Sequence, residues 1–168
     1  MPSPTDTSEK GLETLIVNPP TGQQETGVMG AQETSPAYDA DYLLGDPHDY
    51  DREHAVDTTQ LFAFLQTTQP EAVEALGIDE PGPSRTQFLH RLQGEIAKRG
   101  IIDVLRKGIR HNQATLDLFY GTPTPGNHEA AIRYRQNIFS VTRQLRYSRS
   151  ETALALDLAL FINGLPLA

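Results

Sequence analysis

At 168 residues with 38% apolar content, the chain is long enough for one domain with a real core and too short for two. No apolar run approaches the roughly 18 residues of a bilayer span, and residues 1–10 are polar, so neither a membrane helix nor a signal peptide is expected. Zero cysteines exclude disulfides and thiolate metal sites and fit a cytoplasmic protein.

The net charge of −8 hides a division. Residues 1–80 hold sixteen Asp/Glu against Lys10 and Arg52, whereas residues 81–168 hold twelve Lys/Arg against six Asp/Glu. Two readings stand: a polyanion-binding face in the basic half, or two halves that neutralise each other across an internal interface.

In chain order, residues 1–7 read as a disordered arm. Ser8 can cap a short helix to Val17 with Leu12, Leu15 and Ile16 on one face, ended by Asn18-Pro-Pro. The span 18–56 reads as a long loop-rich insertion anchored by Tyr38, Tyr42 and Leu43-Leu44. Asp57 can cap a helix carrying Leu61, Phe62, Phe64 and Leu65; Pro70 and Gly77 bracket a second. Ser84-x-x-Gln87 is a capping-box pattern before Phe88, Leu89, Leu92 and Ile96, and residues 101–107 form a further helical turn. After the turn cluster Gly121-Thr-Pro-Thr-Pro-Gly126, Asn127 can cap a helix to Arg135.

Period-two alternation then takes over. In residues 137–147, Phe139, Val141, Arg143, Leu145 and Tyr147 share one face, and Ser140, Thr142, Gln144 and Arg146 the other, which predicts a half-buried strand. Ser148-Arg-Ser-Glu151 reads as a hairpin turn. Residues 153–162 are apolar on both faces, as in a central strand covered on each side, and Asn163-Gly164 is a tight-turn signal before Leu165-Pro-Leu-Ala. Residues 137–168 are therefore the expected sheet core.

Asp157 heads the candidate functional residues, because a carboxylate buried in that strand needs a metal, an Arg such as Arg143 or Arg146, or a proton. Arg106, Lys107 and Arg110, with Arg133 and Arg135, offer a basic strip for DNA or a solvated face. The acidic run from Asp46 to Asp57 lacks the Gly and terminal Glu of an EF-hand, so a solvated loop is expected. The five histidines show no i, i+4 pair with a third ligand.

Longer segments carry a resemblance: Ser8-Glu9-x-x-Leu12-Glu13-x-Leu15-Ile16, Lys98-Arg-Gly-Ile-Ile-Asp-Val-Leu-Arg-Lys-Gly108, Leu118-Phe-Tyr-Gly-Thr-Pro123, Phe139-Ser-Val-Thr-Arg-Gln-Leu-Arg-Tyr-Ser148 and Ala155-Leu-Asp-Leu-Ala-Leu-Phe-Ile-Asn-Gly-Leu-Pro166. Together these resemble the N-terminal nuclease domain of the R subunit of type I restriction enzymes, of the PD-(D/E)XK superfamily, over nearly the whole chain. The resemblance implies an α/β fold leaning to α+β: a restriction-endonuclease-like mixed sheet flanked by helices, one domain over residues 8–168, incomplete at its C-terminus. It implies Asp157 as a Mg²⁺ ligand, Glu13 (Glu9 second) supporting the metal, Gln144 as a catalytic residue and Arg143 and Arg146 as DNA contacts. It also implies DNA and the methyltransferase (M) and specificity (S) subunits as partners.

The family's Glu-x-Lys would follow Ala168, so the 168 residues alone are expected not to cleave DNA. ATP would act only through a translocase region, for which the chain has no phosphate-binding Gly-x-x-x-x-Gly-Lys-Ser/Thr motif. A non-catalytic DNA-binding or subunit-docking module on the same scaffold is the other expectation.

Overall fold

The computed structural model describes residues 42–150 and 153–167. The arm, the helix expected over residues 8–17 and Glu13 lie outside them. The described fold is mixed α and β. Strand β1 (Leu43–Gly45) leads through a 3-10 turn (Pro47–Asp49) to a small hairpin, β2 (Tyr50–Asp51) and β3 (Val56–Asp57). Helices α1 (Thr58–Thr68), α2 (Pro70–Leu76), α3 (Pro83–Arg99) and α4 (Ile101–Lys107) follow. A second hairpin, β4 (Ile109–His111) and β5 (Ala114–Leu116), precedes α5 (His128–Arg135) and the strands β6 (Phe139–Leu145), β7 (Leu156–Ile162) and β8 (Leu165–Pro166).

Local chemistry sets most helix ends. The Asp57 side chain accepts from the Gln60 amide at 2.9 Å, and Asn127 accepts from the Ala130 amide at 3.0 Å, each satisfying an orphan N–H of the first turn. Gly77 closes α2 in the left-handed region at φ 62°. The capping box at Ser84 does not form: the cap of α3 lies two residues earlier, at Gly82, with Pro83 in the first turn. Proline, with φ already helical and no N–H to satisfy, defines this start more strongly than a serine hydroxyl.

The principal sheet has order β1-β6-β7-β8, with β1 parallel to β6 and the other pairs antiparallel. It therefore draws on Leu43–Gly45, within the span read as an insertion. Helices α1 to α4 and the β4–β5 hairpin share one core, including Leu61, Phe64, Phe88, Leu92, Val104, Ile109 and Leu116, into which Leu165 of β8 inserts. A smaller cluster joins Leu145, Ala159 and Phe161 under Tyr50.

The polar face of β6 points inward, contrary to its reading as a half-exposed strand. Ser140 and Thr142 are fully buried, and the Ser140 hydroxyl donates to Gln60 Oε1 of α1 at 2.6 Å. A hydroxyl that finds a partner can be buried as readily as an apolar group, so alternation alone does not identify the inner face. The opposite face of β7 is open: Leu160 is 39% exposed, and Leu44 on β1 51%. The expectation of a strand covered on both faces is thereby corrected.

The turn joining β7 to β8 is fixed by side-chain hydrogen bonds. Asn163 and Gly164 both adopt positive φ, 51° and 78°, as a two-residue hairpin turn requires. The fully buried Asn163 accepts the Ile138 amide on Oδ1 at 2.6 Å, and its Nδ2 donates to the Leu118 carbonyl at 2.8 Å and to Asn137 Oδ1 at 3.0 Å. Asn137 in turn accepts the Tyr120 amide and donates to the Tyr120 and Tyr134 carbonyls. Two amide side chains thus satisfy backbone groups in two stretches, residues 118–120 and 134–138.

Candidate functional site

Asp157 stands on β7 on the same face as Ala159 and Phe161, as its spacing predicts, but beyond the cover of Tyr50. It is exposed rather than buried, so the need for an ionic partner that burial would impose disappears. Its partner is neither Arg143 nor Arg146: Gln144 Nε2 donates to Asp157 Oδ1 at 3.2 Å. Arg143 pairs across the ladder with Leu158, one position away.

Gln144 is unusual in its backbone. It sits inside a strand at φ 51°, a region that costs a side-chain-bearing residue about 1–3 kcal/mol and that concentrates at functional positions. The kink breaks the alternation of β6, turning Leu145 into the cluster with Ala159 and Phe161 while Gln144 stays at the surface. It also aims the Gln144 amide at Asp157.

Beside this pair lies a cleft of about 460 Å³ lined by Pro47, His48, Arg52, Gln144 and Arg146. Three of its five lining residues are cationic or can become so, and none is acidic. At its rim, Asp46 accepts from the His48 amide at 2.8 Å and from Nδ1 at 2.7 Å, and these bonds hold the Asp46 carboxyl below the usual range. His48 is thereby oriented as well as placed. A basic cleft with two guanidinium groups and an amide is suited to phosphate oxygens.

A second cleft, of about 520 Å³, opens between Thr59, Phe62, Asp79 and Arg85. Its cation is already engaged: Arg85 donates to the Ile78 and Asp79 carbonyls and stacks 3.9 Å from the centre of the Phe62 ring. That leaves the Asp157 end of the sheet as the better ligand site.

The other basic residues fall elsewhere. Arg106 and Lys107 end α4, and Arg110 lies exposed on β4, so they belong to the helical side rather than to the sheet carrying Asp157. Lys107 pairs with Asp103 at 2.6 Å, and Arg99 pairs with Glu95 and Asp103; these bonds, that of Lys107 foremost, depress the Asp103 carboxyl. The i, i+4 pairs support the helices.

One cluster was invisible to sequence spacing. Glu53, His54 and His90 bring one ligand atom each to within 4.8 Å of one another, and among the described residues they are the one group of three His or carboxylate ligands so gathered. Among the described residues no such group forms around Asp157. Searches against protein-family models, curated proteins and solved structures give no match to this chain.

Proposed function

We propose that this chain grips DNA phosphates at the Asp157 end of its sheet, as part of the nuclease domain of a type I restriction R subunit. The observation that carries the reading is the juxtaposition of an exposed carboxylate, a strained Gln144 bonded to it, and a cleft lined by His48, Arg52 and Arg146. Its support is that the Arg-Gln strand and the Asp strand, which carry the resemblance, are adjacent in a mixed sheet. In the intact enzyme the reaction would be Mg²⁺-dependent, ATP-coupled cleavage of unmodified DNA, with the M and S subunits as partners.

Mg²⁺ bound with substrate phosphates takes one or two carboxylates in octahedral geometry. Asp157 is one, Glu13 lies outside the described residues, and among the described residues no set of three ligands surrounds Asp157. With Asp157 the one described carboxylate there, phosphate binding is the role assigned to the described residues, and hydrolysis would need a further acid from outside them. That shortfall favours the second reading, a DNA-binding or subunit-docking module on the same scaffold, for the residues in hand.

Fluorescence anisotropy with a labelled duplex, over a salt series in EDTA, tests the binding claim. Arg52→Ala and Arg146→Ala should each weaken binding to all sequences alike and lower the salt slope by about one. Binding that is absent at low salt, or indifferent to both substitutions, would overturn it. Cleavage of DNA with Mg²⁺ that is lost in Asp157→Ala would instead assign catalysis to this chain.

A further inference from the structure

We propose that Glu53, His54 and His90 form a binding site for a divalent ion of the zinc class, fastening the turn between β2 and β3 to the middle of α3. The site uses none of the residues lining the phosphate cleft and stands independently of the function proposed above.

His54 is the anchor. Its side chain is only 6% exposed, and its Nε2 is buried with no hydrogen-bond partner among the described residues. Its Nδ1 lies 2.6 Å from Asp51 Oδ2. With the carboxylate accepting from Nδ1, the neutral ring carries its lone pair on Nε2, the atom left without a partner. A buried acceptor left unmade costs about 1–3 kcal/mol, which calls for a ligand at that point. Carboxylate to imidazole to metal is also the arrangement by which proteins fix the tautomer and orientation of a ligating histidine.

The other two ligands approach from different elements. His90 lies on α3, its ring centre 4.8 Å from that of His54, with the planes at 68°. Glu53 precedes His54 in the turn, and the turn is already tied to α3, since Gln93 Nε2, one turn along from His90, donates to the Glu53 carbonyl at 3.0 Å. Among the described residues the Glu53 carboxylate has one weak competitor, Arg149, at 3.8 Å. Ligand atoms within 4.8 Å are wider than the roughly 3.3 Å edges of a tetrahedron with bonds near 2.0–2.1 Å. Because Glu53 and His90 are exposed, rotation of their side chains can close that gap while His54 stays fixed.

Ligand chemistry sets the ion class. Two imidazoles and a carboxylate suit Zn²⁺ and its neighbours, whereas Mg²⁺ and Ca²⁺ take oxygen ligands. Three protein ligands leave a fourth position for water.

Calorimetric titration of the EDTA-treated, dialysed 168-residue chain with ZnCl₂ tests the site, with Co²⁺ absorption reporting coordination geometry. The expected result is one ion per chain, tetrahedral Co²⁺ bands, no competition from millimolar Mg²⁺, and a melting temperature raised by Zn²⁺. His90→Ala, at an exposed position that leaves the fold intact by circular dichroism, should weaken binding at least tenfold and abolish the thermal shift. His48→Ala should leave both unchanged. No saturable Zn²⁺ binding, or binding that His90→Ala leaves as it was, would overturn the proposal.

Discussion

The two ends of β7 differ in almost every physical respect. At Asn163–Gly164 the chain is buried, and the Asn163 side chain satisfies the Ile138 amide and the Leu118 carbonyl. Here Gly164 also passes so close to the Asp57 carbonyl and to Leu61 that no side chain fits. At Leu156–Asp157 the same strand is exposed, the Asp157 carboxylate meets a single described partner, and the neighbouring strand is kinked at Gln144. The first end is explained by folding. At the second, an exposed carboxylate faces a strained Gln144 beside a cleft lined by His48, Arg52 and Arg146, and that juxtaposition is the physical reason to place ligand binding there.

Substitutions can break this contrast, and the largest effects belong to the buried end. Gly164→Ala would drive a methyl group into the Asp57 carbonyl and the Leu61 backbone at φ 78°, costing about 3 kcal/mol in denaturant unfolding. Asn163→Ala strands the Ile138 amide and the Leu118 carbonyl, and should cost about 2–4 kcal/mol by the same measurement. Stability close to that of the parent in either variant would remove the distinction between the two ends.

The start of α1 gives a smaller and pH-dependent effect. Burial raises the Asp57 carboxyl above its ordinary 3.8, against the opposing bond from the Gln60 amide. A raised folded value favours the protonated form in the fold, so this contribution is present below pH 3.8 and is lost as pH rises through the folded value. Asn caps a helix as well as Asp does and carries no charge to desolvate. Asp57→Asn should therefore be more stable than the parent at neutral pH, by on the order of 0.5 kcal/mol, with the advantage fading in acid. Equal stability of the two proteins across pH 3 to 7 would contradict it.

The smallest change is expected at the other end of β7. Asp157→Asn should shift unfolding by less than about 0.5 kcal/mol, because an exposed side chain with one polar contact contributes little to the fold. A loss of several kcal/mol would mean that Asp157 is structural after all.

What was legible in the sequence was what local chemistry decides. Asp57, Asn127, Gly77 and Asn163-Gly164 act through their own backbone within a few residues, so their caps and turns follow from residue type. Ser84 misled because Pro83, one residue before it, sets the helix start independently. Asp157 lies on the strand and face that its spacing predicts, yet its exposure depends on how far the cover of Tyr50 extends, which the strand's own composition does not encode. The buried hydroxyl of Ser140 on β6 depends on Gln60, eighty residues away. His54 and His90 meet only because a hairpin turn folds against α3, which no spacing rule anticipates.

The central claim, that the Asp157 end binds phosphate and is not needed for folding, is tested most directly by measuring DNA affinity and melting temperature together in Arg52→Ala/Arg146→Ala. The account predicts at least about a tenfold loss of affinity for duplex DNA at low salt, with the melting temperature unchanged. Unchanged affinity in a folded double variant would contradict it.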